Sequence, residues 1–162
     1  MPPTVYLDTS VILYLTDPPS SNPITRACQQ LTQLWWDTRC DASRTYVSRY
    51  VIAEIKHGDP LNMARRMRMI EFLPRLPDGA RTEGVAELLI CGGGLNARAM
   101  KCAEHIACAA QNRSEILLTW NCRDIANARQ LRLLRVLIHA QRLHLPELVT
   151  PFELMENRYE NI

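Results

Sequence analysis

A chain of 162 residues, 47% of them apolar and with a formal net charge of +2, is long enough for one globular domain with a real core and too short for two. So even a charge balance does not demand a polyanionic partner, and any argument for nucleic acid has to rest on local clusters, Arg65, Arg66 and Arg68 or Arg129, Arg132 and Arg135, each of which reads equally well as a solvated helix face. No apolar run approaches the roughly 20 residues of a membrane helix, and six cysteines without a Cys-x-x-Cys pair or a leader-like segment predict reduced thiols in a soluble, cytoplasmic protein.

The first element is a strand over residues 4–8, where the apolar run Val5-Tyr6-Leu7 closes on Asp8 and is followed at once by Thr9 and Ser10, hydroxyl residues suited to cap a short helix that reaches about Leu15. A Pro-Ser loop follows, then Asn22 as cap and Pro23 at the first position of a helix to about Asp37. Ile24, Ala27, Leu31, Leu34 and Trp35 recur at helical spacing and predict its buried face, while the adjacent Trp35 and Trp36 cannot both face the core squarely. Thr45-Tyr46-Val47 reads as a brief strand, and Ser48 caps a helix with Val51, Ile52 and Ile55 on one side and Glu54 between them. Gly58-Asp59-Pro60 breaks that helix and starts another, residues 61–71, so the two form a helical hairpin. The prolines in 72–77 confine that stretch to an edge strand or an extended connection.

A helix over residues 82–90 ends at Gly92-Gly93-Gly94, read as a flexible break, and Asn96 opens the next helix, which extends to about Gln111. Residues 115–119 form a short apolar strand leading into Trp120-Asn121-Cys122-Arg123-Asp124, so a second strand end delivers polar groups much as the first does. A helix over 127–142, a strand over 148–150 and a short helix from Pro151 complete the chain, with no internal repeat. Strand and helix alternate throughout, which favours an α/β fold, a parallel sheet flanked by helices, in a single domain over residues 1–162.

In such a sheet the polar residues at strand C-termini converge on one crevice. Asp8, Asn121 and Asp124 follow strands, and Glu54 sits on a helix able to lean over the same edge. Taken singly, Glu54 reads as a surface residue and Asp124 as the cap of the next helix; the joint pattern is what points to a cation site. Cys102 and His105 lie one helical turn apart, a spacing that suits a metal pair but fits a core thiol beside a packed histidine better.

The blocks Val5-Tyr6-Leu7-Asp8-Thr9-Ser10, Val47-Ser48-Arg49-Tyr50-Val51-Ile52-Ala53-Glu54-Ile55 with Gly58-Asp59-Pro60, and Ala103-Glu104-His105-Ile106-Ala107-Cys108-Ala109 leading to Leu117-Leu118-Thr119-Trp120-Asn121-Cys122-Arg123-Asp124-Ile125-Ala126-Asn127 together resemble the PIN domain. The resemblance runs from Val5 to Glu153 and is closest to the VapC-like toxins of bacterial type II toxin–antitoxin systems whose late strand ends in Thr-Trp-Asn. It implies a three-layer α/β/α fold around a mainly parallel sheet of four to five strands, and a ribonuclease that uses Mg²⁺ or Mn²⁺ to hydrolyse RNA phosphodiester bonds.

Carried over position by position, the resemblance makes Asp8 the first acid and Glu54 the second. Where the family usually has its third acid, three residues before the histidine, this chain has Cys102, a poor ligand for a hard ion such as Mg²⁺. Glu104 cannot replace it, because two residues along a helix turn a side chain by roughly 200°. Asn121 occupies the fourth position without a charge, and Asp124 is the next acid available. The expected catalytic set is therefore Asp8, Glu54, Asp124 and Asn121, with Asp8, Glu54 and Asp124 as metal ligands. Two carboxylates about 4 Å apart repel by roughly 4 kcal/mol at an effective dielectric near 20, so a cation is their natural resident. Thr9, Ser10 and Thr119 are expected to orient the carboxylates or a bound water, with capping and turn chemistry as the equal alternative. His105 is assigned either to a phosphate or, preferably, to a bonded position in a helix-packing face. The resemblance further implies RNA, a homodimer and an antitoxin lying along the hairpin residues Val51, Ile52, Ile55, Leu61 and Met67, which read equally well as core. An alternative function, motivated by Cys102, is a nuclease-impaired scaffold that binds RNA or a partner protein.

Overall fold

Four short strands meet in an all-parallel sheet ordered β2-β1-β3-β4: β1 (Val5–Leu7), β2 (Thr45–Tyr46), β3 (Ile116–Leu118) and β4 (Glu147–Val149). The structure is a computed structural model and describes residues 1–156. The two central strands are wholly buried and, but for the Tyr6 hydroxyl, apolar, as parallel strands covered on both faces must be. Pairing is in register, Val5 with Ile116 and Tyr6 with Leu117 on one side, Val5 with Thr45 on the other. Because every strand runs the same way, Asp8, Ser48, Thr119 and Thr150, each at or just beyond a strand's C-terminal end, lie along one edge.

Eight helices among the described residues flank this sheet, in keeping with the three-layer α/β/α arrangement: α1 (Thr9–Thr16), α2 (Pro23–Thr38), α3 (Arg49–Ile55), α4 (Pro60–Ile70), α5 (Thr82–Cys91), α6 (Met100–Gln111), α7 (Ala128–Ala140) and α8 (Pro151–Glu156). Four of them begin on side-chain caps: Asn22 accepts from the amides of Ile24 and Thr25, Ser48 from that of Val51 and Asn127 from that of Arg129, while α1 is capped by Asp8, which accepts from the Ser10 amide, and not by Thr9 or Ser10, which lie in its first turn. The 72–77 stretch is an extended connection, joined to the sheet edge by a parallel bridge between Val47 and Arg75. None of the helices among the described residues is long and apolar enough to cross a membrane.

Three local expectations change. The Asn96 side chain caps a separate turn, accepting from the Arg98 amide at 3.0 Å, and the helix itself starts only at Met100. The glycine run is a tight turn held by Gly94 N–H to Leu89 C=O at 3.0 Å, with Gly93 at φ 80°; a Cβ on Gly94 would lie 2.9 Å from Leu137, so glycine serves the close approach of α7. The apolar stripe of α2 is its buried face only at Trp35: Ile24, Ala27 and Leu34 are exposed, and Thr32 takes the other buried place. Thr32 wins that place because its hydroxyl accepts from the Trp120 indole at 2.7 Å while donating to the Cys28 carbonyl at 2.6 Å, which leaves no buried donor unsatisfied.

Candidate active site

Asp8 ends β1 with its backbone N–H still in the sheet, donated to the Leu118 carbonyl at 3.0 Å, and its side chain turned into the strand edge. The residue is 4% exposed. Its Oδ2 accepts from the Ser10 hydroxyl at 2.6 Å and the Thr119 hydroxyl at 2.7 Å, two donors from opposite ends of the chain. The Ser10 hydroxyl in turn accepts from the Trp120 amide at 2.9 Å, and the Thr119 hydroxyl from the Asn121 amide at 2.9 Å. Ser10 and Thr119 thus both bond Asp8 Oδ2, while Oδ1 is directed elsewhere.

That other oxygen faces His105. Asp8 Oδ1 lies 3.6 Å from His105 Nε2, and Glu54 Oε1 lies 2.6 Å from the same nitrogen, so the first two sequence acids meet around one imidazole. Glu54 arrives from α3, a helix started by Ser48 immediately after β2 and anchored by buried Val51, Ile52 and Ile55. Burial works against the charged Glu54, but the hydrogen bond and charge of His105, the neighbouring Thr9 hydroxyl and Lys101 outweigh it and hold the carboxyl below its ordinary value. For His105 burial likewise opposes charge, and the Glu54 hydrogen bond with the Asp8 and Glu54 carboxylates raises its value above the ordinary one.

The imidazole is pinned from behind as well. His105 Nδ1 lies 2.7 Å from the Tyr6 hydroxyl, which lies 2.6 Å from the Ser48 hydroxyl. All three side chains are buried. A polar chain, Ser48–Tyr6–His105–Glu54, therefore runs from beneath the sheet edge to the carboxylate pair. Tyr6 is the member that sequence reading missed. The signal was a hydroxyl in the middle of a central parallel strand, which burial obliges to find a partner.

Asn121 and Asp124 behave differently from Asp8 and Glu54. Asn121 closes the turn after β3: its Oδ1 accepts from the Asp124 amide at 2.9 Å and its Nδ2 donates to Cys102 Sγ at 3.3 Å. Its amide oxygen is thus engaged in a turn rather than turned to a ligand. Cys102 lies within the field of Asp124, Asp8 and Glu54. Burial first, then these three charges, push its thiol up to about 12, so at neutral pH it is an uncharged S–H. Glu104 points away, as helical geometry demands, into a hollow shared with Tyr50, Glu83 and Glu87. Of the hairpin residues, Val51, Ile52 and Ile55 belong to the core and Leu61 is exposed. Arg65 and Arg66 tie α4 to the end of α1, through the Thr16 carbonyl at 3.2 Å and Asp17 at 3.4 Å, while Arg129, Arg132 and Arg135 are exposed on α7.

Among the described residues no group of three or more His, Cys, Asp and Glu side chains forms a ready cation cage. Mg²⁺ does not need one, since it keeps several waters and is commonly held by one or two carboxylates plus substrate phosphate. Asp8 and Glu54 supply hard oxygen donors beside the His105 imidazole. Beside Glu54 stands the buried Thr9 hydroxyl, which favours the charged carboxylate and has no other hydrogen-bond partner. On donor chemistry these residues fit a hydrated divalent ion of the Mg²⁺ or Mn²⁺ kind, with Cys102 as the one discordant neighbour. No protein-family model matches this chain, and no curated protein matches it either.

Proposed function

We propose that this chain is a PIN-type, VapC-like ribonuclease that hydrolyses RNA phosphodiester bonds with Mg²⁺ or Mn²⁺. The observation that carries the reading is the meeting of Asp8 and Glu54, 46 positions apart by their numbers, around His105 Nε2 at the C-terminal edge of a parallel sheet. Asp8 and Glu54 would hold the ion, and Asp124 adds negative charge to the rim. Bound there, a divalent cation stabilises charge on the phosphate and makes its water more acidic. Ser10 and Thr119 keep Asp8 Oδ2 in place, His105 keeps Glu54 in place, and Thr9 is positioned to accept or donate to a water beside Glu54. On this reading the partners are RNA, a second copy of the chain and a cognate antitoxin, in the cytoplasm.

Cleavage of RNA by purified protein with Mn²⁺ or Mg²⁺ tests it. Asp8→Asn keeps the acceptor for Ser10 and removes the charge; activity is expected to fall about 100-fold or more. Equal cleavage by wild type and Asp8→Asn would exclude this site as its source. The second reading, a nuclease-impaired scaffold binding RNA or a partner, is favoured by the uncharged Cys102 thiol among the acids. Cys102→Asp separates the two: a rise of about 10-fold or more in Mn²⁺ affinity and cleavage marks the natural site as impaired, and unchanged activity marks it as complete.

A further inference from the structure

We infer that Tyr6, backed by Ser48, is a positioning residue that sets the Glu54 carboxylate through the ring of His105. The three contacts are short and in series: Ser48 Oγ to Tyr6 Oη 2.6 Å, Tyr6 Oη to His105 Nδ1 2.7 Å, His105 Nε2 to Glu54 Oε1 2.6 Å. The first three residues are exposed by 1%, 0% and 2%, so no water competes for these bonds. Ser48 Oγ accepts from the Val51 amide at 3.3 Å, which leaves its own proton free for Tyr6. In the neutral ring Tyr6 donates to Nδ1, and a ring that accepts at Nδ1 carries its proton on Nε2, facing the carboxylates; once the ring is charged, Nδ1–H donates to Tyr6 instead and Nε2–H still faces the carboxylates.

The consequence is directional. A histidine held only by Glu54 could present either nitrogen; held by Tyr6 as well, it presents an N–H to Glu54 Oε1 in one fixed ring orientation. One carboxylate oxygen is tied and the other is left clear of the ring, 51 residues away in sequence from the group that ties it. Burial alone explains neither the hydroxyl at position 6 nor its in-line partners, since phenylalanine would fill the same space in a central strand without needing any. That this arrangement serves cation binding rests on the nuclease reading; that it orients His105 does not.

The test uses the full chain, ¹⁵N-labelled and metal-free, with Tyr6→Phe, Ser48→Ala and the double variant. At a pH above the raised value of His105, where the ring is neutral, the wild-type imidazole should show one tautomer, protonated at Nε2, with a proton protected from solvent exchange. Tyr6→Phe should mix the tautomers and lose that protection, and Mn²⁺ affinity should fall about 10-fold. Ser48→Ala should produce a smaller change of the same kind, and the double variant should be no worse than Tyr6→Phe, because both act through one path. Ile138→Val, in the core away from the chain, lowers the melting temperature but should leave the imidazole signals unmoved. An unchanged Nε2 proton in Tyr6→Phe overturns the proposal, as does an unchanged Nε2 proton in Ser48→Ala should Tyr6→Phe fail to fold. Wild type that shows the Nε2 proton but binds no Mn²⁺ supports the positioning role and overturns the nuclease reading instead.

Discussion

Glu54 and His105 pull each other's ionisation in opposite directions, and the pair has a pH window of its own. The raised His105 contributes stability that is complete below its ordinary value of 6.5 and is lost as pH climbs through the raised one. The lowered Glu54 contributes stability that is complete above its ordinary value of 4.5 and is lost as pH drops through the lowered one. Both contributions are whole between 4.5 and 6.5. In metal-free protein, Glu54→Gln should therefore cost most in that window, about 2 kcal/mol for a charge-assisted hydrogen bond, and the difference from wild type in thermal melts should shrink on either side. A difference flat from pH 4 to 9 would show that the pair is not ionised. At this scale Asp8 was legible because a carboxylate closing an apolar strand is chemically conspicuous, whereas Glu54, by itself a surface residue, stood out only in the joint pattern. Tyr6 was not, since its role is defined by what stands behind it.

At the scale of the element, the caps Asn22 and Ser48 and the break before Pro60 stand where they were read, while the Asn96 cap, the glycine break and the buried face of α2 do not. Asn22 accepts two amide hydrogen bonds at the start of α2, at 2.9 and 3.2 Å, whereas Asp59 starts α4 with no side-chain cap bond. Asn22→Ala should cost about 1 kcal/mol in urea unfolding; Asp59→Ala should cost only a few tenths, from charge near the helix dipole. Equal losses would mean that the two Asn22 hydrogen bonds add nothing to the stability of α2. The apolar stripe of α2 misled because hydropathy ranks Ile24 and Leu34 above Thr32, while a satisfied hydroxyl under the Trp120 indole packs better than its hydropathy suggests. Trp120, stacked on Tyr14 with ring centres 5.6 Å apart, uses that bond to fasten the loop after β3 to α2, and so holds the turn in which Asn121 and Asp124 sit.

Across the whole molecule one apolar cluster joins the central strands to helices on several sides, and the candidate site is a rim on that cluster rather than a deep cavity. A separate cavity of about 380 Å³, lined by Pro3, Trp35, Arg39 and Glu147, opens at the other end of the strands, away from the acids. Leu117, fully buried at the middle of β3, should be costly to truncate: Leu117→Ala should lose 2–5 kcal/mol, roughly 4–20 °C in melting temperature. Phe72, 58% exposed and edge-on to Trp36, should tolerate alanine within about 1 kcal/mol. A small Leu117 effect would place β3 outside the cooperative core.

Local chemistry settled what depends on neighbours along the chain: the alternation of strand and helix, the capping residues, the breaks, and the acids that close strands. Periodicity and turn residues act within a few positions, so a single sequence displays them. Tertiary structure alone decided the pairing of groups far apart in the chain: His105 between Glu54 and Asp8, Tyr6 and Ser48 behind it, Thr32 under Trp120, Cys102 beside Asn121. Those pairings follow from burial, because a polar atom taken out of water takes whichever partner the packed sheet and helices bring within reach.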